Sequence, residues 1–120
     1  MNRSVLTLVL SISFSPAVLA EDFHCPVASC SGIRQNGKGL DIAVAKATFV
    51  HAVESGEVIF ADRLKQHGMT IIIRHNNGGY SSYGQLETFL VGTGVRVGQG
   101  KKIAVKLPGP PLYFELTQLE

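Results

Sequence analysis

Net charge, cysteine and long apolar runs are all scarce in this 120-residue chain. Arg3 is the one charged residue of the first twenty, which leaves ten basic and nine acidic residues over 21–120. The basic residues are scattered, with Lys101-Lys102 the only adjacent pair, so the electrostatic footprint of a nucleic-acid-binding protein is missing. Cys25 and Cys30 are the only cysteines, and a metal site built from them and His24 would lack a fourth ligand nearby. Past residue 20 no stretch is apolar enough over some 20 residues to span a bilayer. Nor is there a coiled-coil, low-complexity or linker segment.

The first twenty residues have the layout of a secretory signal peptide. A basic start (Asn2-Arg3) is followed by the apolar run Val5 to Leu10 and a small-residue exit at Val18-Leu19-Ala20. Cleavage is expected between Ala20 and Glu21. The alternative, a retained anchor, is disfavoured by Ser11, Ser13, Ser15 and Pro16, which interrupt the apolar stretch. Residues 21–120 are then expected to form one domain in a periplasmic or secreted setting, with no membrane contact after cleavage. In such an oxidising compartment Cys25 and Cys30 are disulfide candidates.

Beyond the cysteines the chain breaks into short apolar runs at 40–45, 48–53, 57–61, 69–75, 80–83, 95–97, 103–107 and 112–116. Glycine-bearing turns separate them, such as Asn76-Asn77-Gly78-Gly79 and Gly92-Thr93-Gly94. This pattern predicts an all-β domain of short antiparallel strands. The run Met69 to Ile73 (MTIII) is β-branched and continuous, as suits a strand buried on both faces. Residues 63–67 and 86–91 offer at most single helical turns. Pro110 and Pro111 cannot donate to a ladder and are expected at an edge or outside the sheet.

Taken in order, these segments resemble the lysostaphin/LytM-type zinc endopeptidases of bacterial cell walls. Lys38-Gly39-Leu40-Asp41-Ile42-Ala43 is similar to the end of H-x-G-x-D-I-A. Residues 49–58 (FVHAVESGEV) are similar to P-V-x-A-x-x-x-G-x-V, and residues 68–75 (GMTIIIRH) to G-x-x-V-x-I-x-H. Residues 79–86 match G-x-x-T-x-Y-x-H-L, and Val95 to Gly100 followed by Ile103 match V-x-V-G-Q-x-I. The resemblance implies a single LytM-like domain of the duplicated hybrid motif type. A biotinyl-carrier fold, which shares some of these patterns, would need a lysine in the turn 76–79, and none is there.

The same resemblance locates the chemistry and shows it dismantled. In the family, the His and Asp of H-x-x-x-D and the second His of H-x-H bind zinc, which needs three protein ligands and an open position. Here those positions are Gly37, Asp41 and Tyr113. The two remaining catalytic histidine positions are Gln85 and Pro111, neither of which shuttles a proton. The resemblance therefore implies no enzyme activity, no metal and no cofactor. An active zinc endopeptidase with displaced ligands is the least favoured reading. His24, His51, His67 and His75 lack ligand spacing and read as surface or strand-end residues.

The chain is similar to a degenerate subgroup of the family, the amidase-activating LytM factors of bacterial cell division. Gly37-Lys38-Gly39 and Leu112-Tyr113-Phe114-Glu115 carry that likeness. It implies a binding groove at the emptied site, lined by Lys38, Asp41, Tyr83, Gln85 and Tyr113. The expected partner is a cell-wall amidase or another envelope protein. A non-catalytic peptidoglycan-binding module is the alternative.

Overall fold

The structure is a computed structural model that describes residues 24–118. The signal peptide expected at 1–20 lies outside the described residues, as does the domain's expected start at 21. Ten strands follow one another: β1 (Ile33–Asn36), β2 (Gly39–Ile42), β3 (Thr48–His51), β4 (Gly56–Leu64), β5 (Gly68–His75), β6 (Tyr80–Gly84), β7 (Thr88–Phe89), β8 (Arg96–Val97), β9 (Lys102–Lys106) and β10 (Leu112–Thr117). All pairings are antiparallel. They form a seven-stranded sheet ordered β1-β2-β10-β6-β5-β4-β8 and a three-stranded sheet ordered β3-β9-β7. The all-β expectation holds, and no helix occurs among the described residues.

Alternation along each strand sends one set of side chains inward. Leu112, Phe114, Leu116, Ile71, Ile73 and Tyr83 of the large sheet share one buried cluster with Val50, Ile103 and Ala104 of the small one. The run 69–73 is covered on both faces where it matters most. Ile71 and Ile73 point inward, and Thr70 is buried on the other face, where its hydroxyl donates to the Gly68 carbonyl (2.9 Å). Ile72 is only half-buried.

Two segments depart from expectation. Residues 33–36 form a polar edge strand, which a scan for apolar runs passes over because a strand exposed on its edge need not be apolar. Residues 63–67, read as a helical turn, instead close the β4–β5 hairpin, whose pairing runs to Leu64 opposite Gly68. Likewise residues 86–91 contain the short strand β7. At the N-terminal side Cys25 and Cys30 form a disulfide, which removes them as metal ligands beside His24. Its loop docks on β3, where the His51 amide donates to the Pro26 carbonyl at 2.7 Å.

Candidate functional site

The second face of the large sheet carries the site. Strand register places Arg34, Asp41, Tyr113 and Gly84 in one cross-strand row, and directly opposed residues project to the same side of a sheet. A cavity of about 330 Å³ opens there. One wall is formed by Asn36, Asp41 and Pro111, the other by Gln66, His67 and Gln85, with Tyr113 between them.

Each wall follows from local sequence. Gly37 and Lys38 are the two loop residues of the β1–β2 hairpin, and Gly37 takes φ 60. A left-handed first loop residue is what such a turn demands, and glycine meets it without steric cost. The hairpin carries Asn36 back over Asp41, and the Asn36 amide donates to both carboxylate oxygens, at 3.1 and 3.3 Å.

Tyr113 is held from several sides. Its ring lies across Gly39, where a Cβ would stand only 2.6 Å from Cζ and Oη. Its hydroxyl donates to Glu115 Oε1 at 2.7 Å, and its ring stacks on His67 with centroids 3.8 Å apart and planes 8° apart. Burial raises the phenol's pKa, reinforced by the bond to Glu115 and by the charges of Glu115 and Asp41. The group is a neutral donor throughout the physiological range, not an anionic ligand.

His67 reaches this position because Gly84 leaves room, a Cβ there meeting the His67 Cβ at 2.9 Å. The His67 carbonyl accepts the Gln85 amide at 2.7 Å. Gln85 is held at φ 64, the one described non-glycine residue with positive φ, a conformation that costs roughly 1–2 kcal/mol for an L-residue.

Of the five residues expected to line a groove, the structure brings Asp41, Gln85 and Tyr113 together. Lys38 is exposed in the hairpin turn and outside the cavity lining. Tyr83 faces the other way and is a core residue, 0 % exposed. Its hydroxyl accepts the Val53 amide at 3.0 Å and bonds Ser81 Oγ at 2.7 Å. Ser81 in turn bonds His75 Nε2 (2.8 Å), and His75 Nδ1 meets the Ser55 carbonyl (2.9 Å). Since a carbonyl only accepts, Nδ1 carries a proton there. His75 is thus no surface histidine. It is 4 % exposed and part of a satisfied polar chain that ties the segment before β4 to β5 and β6. No motif marks His67, Gln66 or Asn36 as a groove residue, since the pairing of distant strands brings their turns to Tyr113.

Comparison with known proteins agrees with this architecture. The family model described as Peptidase family M23 matches residues 35–119. Murein hydrolase activator EnvC of Escherichia coli K12 is 38 % identical over 86 residues, covering 68 % of this chain and 20 % of EnvC. Murein hydrolase activator NlpD of the same organism is 40 % identical over 68 residues, 56 % of this chain and 18 % of NlpD. This chain thus spans about a fifth of the length of these curated relatives. Among solved structures, a putative M23 peptidase from Pseudomonas aeruginosa superposes with a TM-score of 0.69 at 24 % identity, over 79 % of this chain and 44 % of that one, a likeness of fold alone. With the family model covering more than two-thirds of the residues, and an all-β fold to match, the chain belongs to peptidase family M23, the LytM/lysostaphin type.

Proposed function

We propose that this is an exported, non-catalytic LytM-like domain that binds and regulates a cell-wall hydrolase, activating an amidase, or serves an envelope assembly in the same way. The observation that carries this reading is the cavity lined by Asp41, Gln85, Pro111 and Tyr113, residues that the motif resemblance puts at positions of the family's reactive groups and that cannot do that chemistry. Gly37 is spent on a turn, Pro111 has no donor to offer, Gln85 cannot shuttle a proton, and the Tyr113 phenol is neutral and engaged with Glu115. Zinc does not fit this donor set. Asp41 alone remains, already bonded to Asn36, and three protein ligands are needed. Among the described residues no three His, Cys, Asp or Glu side chains cluster to hold a metal.

A concave, preformed site with a few polar groups is a ready binding surface. A partner amidase bound there is activated if its open state contacts the groove better than its closed state does. The names of EnvC and NlpD, both murein hydrolase activators, support this reading. So does the signal-like start, which would deliver the domain to the periplasm or outside the cell.

The test is dye release from labelled peptidoglycan by three samples: the purified protein alone, an envelope amidase from the same organism alone, and both together. Release only in the mixture is the expected result. Release by the protein alone, abolished by a chelator, would show an active zinc endopeptidase. No release in any sample, beside an independently activated amidase, would favour a peptidoglycan-binding module or a scaffold.

A further inference from the structure

Phe49, Leu90, Val95 and Leu107 are the large apolar side chains left exposed among the described residues, and three of the four stand on or beside the small sheet. Strand register gathers these three. Phe49 of β3, Val105 of β9 and Thr88 of β7 are directly opposed and so project to one side, whereas the next pair, Val50 and Ala104, is buried in the core. Leu107 lies two residues beyond Val105. Leu90 lies two beyond Thr88, its amide still donating to the Ile103 carbonyl at 2.8 Å. Alternation therefore carries both to the Phe49 side. Single exposed apolar residues are ordinary on a protein surface, but a contiguous set marks a contact surface.

Charge selects what that surface meets. Four of the six lysines in the sequence, Lys46, Lys101, Lys102 and Lys106, lie on or next to the small sheet. Lys102 Nζ stands 4.3 Å from the centre of the Phe49 ring, which puts it on the exposed face. Lys46 and Lys101 are exposed at opposite ends of the sheet, near the Thr48–Lys106 and His51–Lys102 pairs. Lys106 turns inward and donates to the Leu107 carbonyl at 2.7 Å. The three strands contain no Asp or Glu, and Glu87, just before β7, is the one acid adjoining them in sequence. A second copy of the chain on this face would set the same lysines against each other, which disfavours it as the occupant. An anionic bilayer surface meets both needs, with headgroup charge for the ammonium groups and an apolar layer beneath it. The lysine stems can lie along the apolar side chains while their heads stay at the headgroups.

We propose that the outer face of the small sheet lies on a bilayer surface rich in anionic phospholipid. Phe49, Leu90 and Leu107 enter the boundary between headgroups and acyl chains, and Lys46, Lys101 and Lys102 meet the phosphates. Such an attachment needs no spanning segment, and it departs from the expectation of no membrane contact after cleavage. It does not depend on the function proposed above. Val50 and Ala104 share the core with the inner residues of the large sheet, so this face points away from the groove and leaves it open to a partner.

The test is sedimentation of the exported protein with vesicles of phosphatidylcholine alone, or of equal parts phosphatidylcholine and phosphatidylglycerol. Binding to the mixed vesicles alone, weakening as salt is raised, is the expected result. Lys101→Gln with Lys102→Gln, and Phe49→Ser with Leu107→Ser, are each expected to weaken it about tenfold or more, with the far-ultraviolet circular dichroism of the parent. Lys38→Gln with Lys65→Gln removes the same charge from two hairpin turns of the large sheet and should change binding less than about twofold. The sequence has no tryptophan, so Phe49→Trp supplies a single reporter whose emission should shift to the blue on the mixed vesicles. Absence of binding, equal binding to both kinds of vesicle, undiminished binding by both small-sheet pairs, an equal loss in the Lys38 and Lys65 pair, or an unshifted Phe49→Trp emission would each overturn the proposal. Tighter binding to soluble polyglutamate than to vesicles would assign the face to an acidic protein segment, and a dimer lost in the Phe49 and Leu107 pair would assign it to a second copy. Either of these also overturns it.

Discussion

Gly39 passes beneath the phenol of Tyr113 so closely that a single added methyl would stand 2.6 Å from the ring's far end. The ring cannot simply lift away, because His67 stacks on it and Glu115 holds its hydroxyl. Gly39→Ala should therefore break the Tyr113–Glu115 bond and lower stability by about 1–3 kcal/mol, the usual range for overpacking. Urea unfolding followed by far-ultraviolet circular dichroism measures the loss. Gly37→Ala, where a Cβ meets nothing within 4 Å, probes only backbone strain and should cost about 1–2 kcal/mol through its positive φ.

Gln85 offers the opposite case. Relief of its left-handed strain, offset in part by glycine's extra chain entropy, makes Gln85→Gly neutral or stabilising by up to about 1 kcal/mol. A protein made more stable and less able to bind its partner would be the signature of a residue kept for function. Thermal unfolding beside titration with an envelope amidase reads both quantities.

The buried phenol of Tyr83 predicts an alkaline limit to stability. Burial pushes its pKa from 10.0 up to about 12. A group raised in the folded state contributes stability that is whole below pH 10 and is lost as pH rises through 12. Two pH units correspond to roughly 3 kcal/mol, and Tyr113, raised in the same direction, adds to the slope. Denaturant midpoints at pH 7, 10 and 11.5 should fall accordingly. Tyr83→Phe should flatten the fall while costing about 1–3 kcal/mol at pH 7, because the buried Val53 amide loses its acceptor.

The disulfide closes a loop of only a few residues, so its effect is modest. Replacing Cys25 and Cys30 by serine should lower stability by about 2 kcal/mol on the loop-entropy account. Amide exchange at His51, which donates to the Pro26 carbonyl inside that loop, should speed up more than exchange in β5.

Much of this molecule was legible in its linear pattern. Short β-branched runs between glycine turns predict antiparallel strands, and the continuous apolar run 69–73 marks a strand inside the large sheet, between β6 and β4. The resemblance to the family's motifs implies that Gly37, Gln85, Pro111 and Tyr113 stand at the emptied positions, a reading of residue type made without coordinates. The sides to which side chains project were another matter. Tyr83 and Tyr113 look alike in sequence, each a tyrosine in a strand near the site, but strand parity turns Tyr83 into the core and Tyr113 to the opposite face of the sheet, where it is largely buried and lines the cavity. A shift of one residue in register would exchange those roles. His67 is the clearest case of what tertiary structure alone decided. It stands 46 residues from Tyr113 in a hairpin turn, and only the order β10-β6-β5 and the missing side chain of Gly84 bring the two rings into contact. Local sequence sets the conformation of a turn, but what that turn touches is decided by the pairing of distant strands.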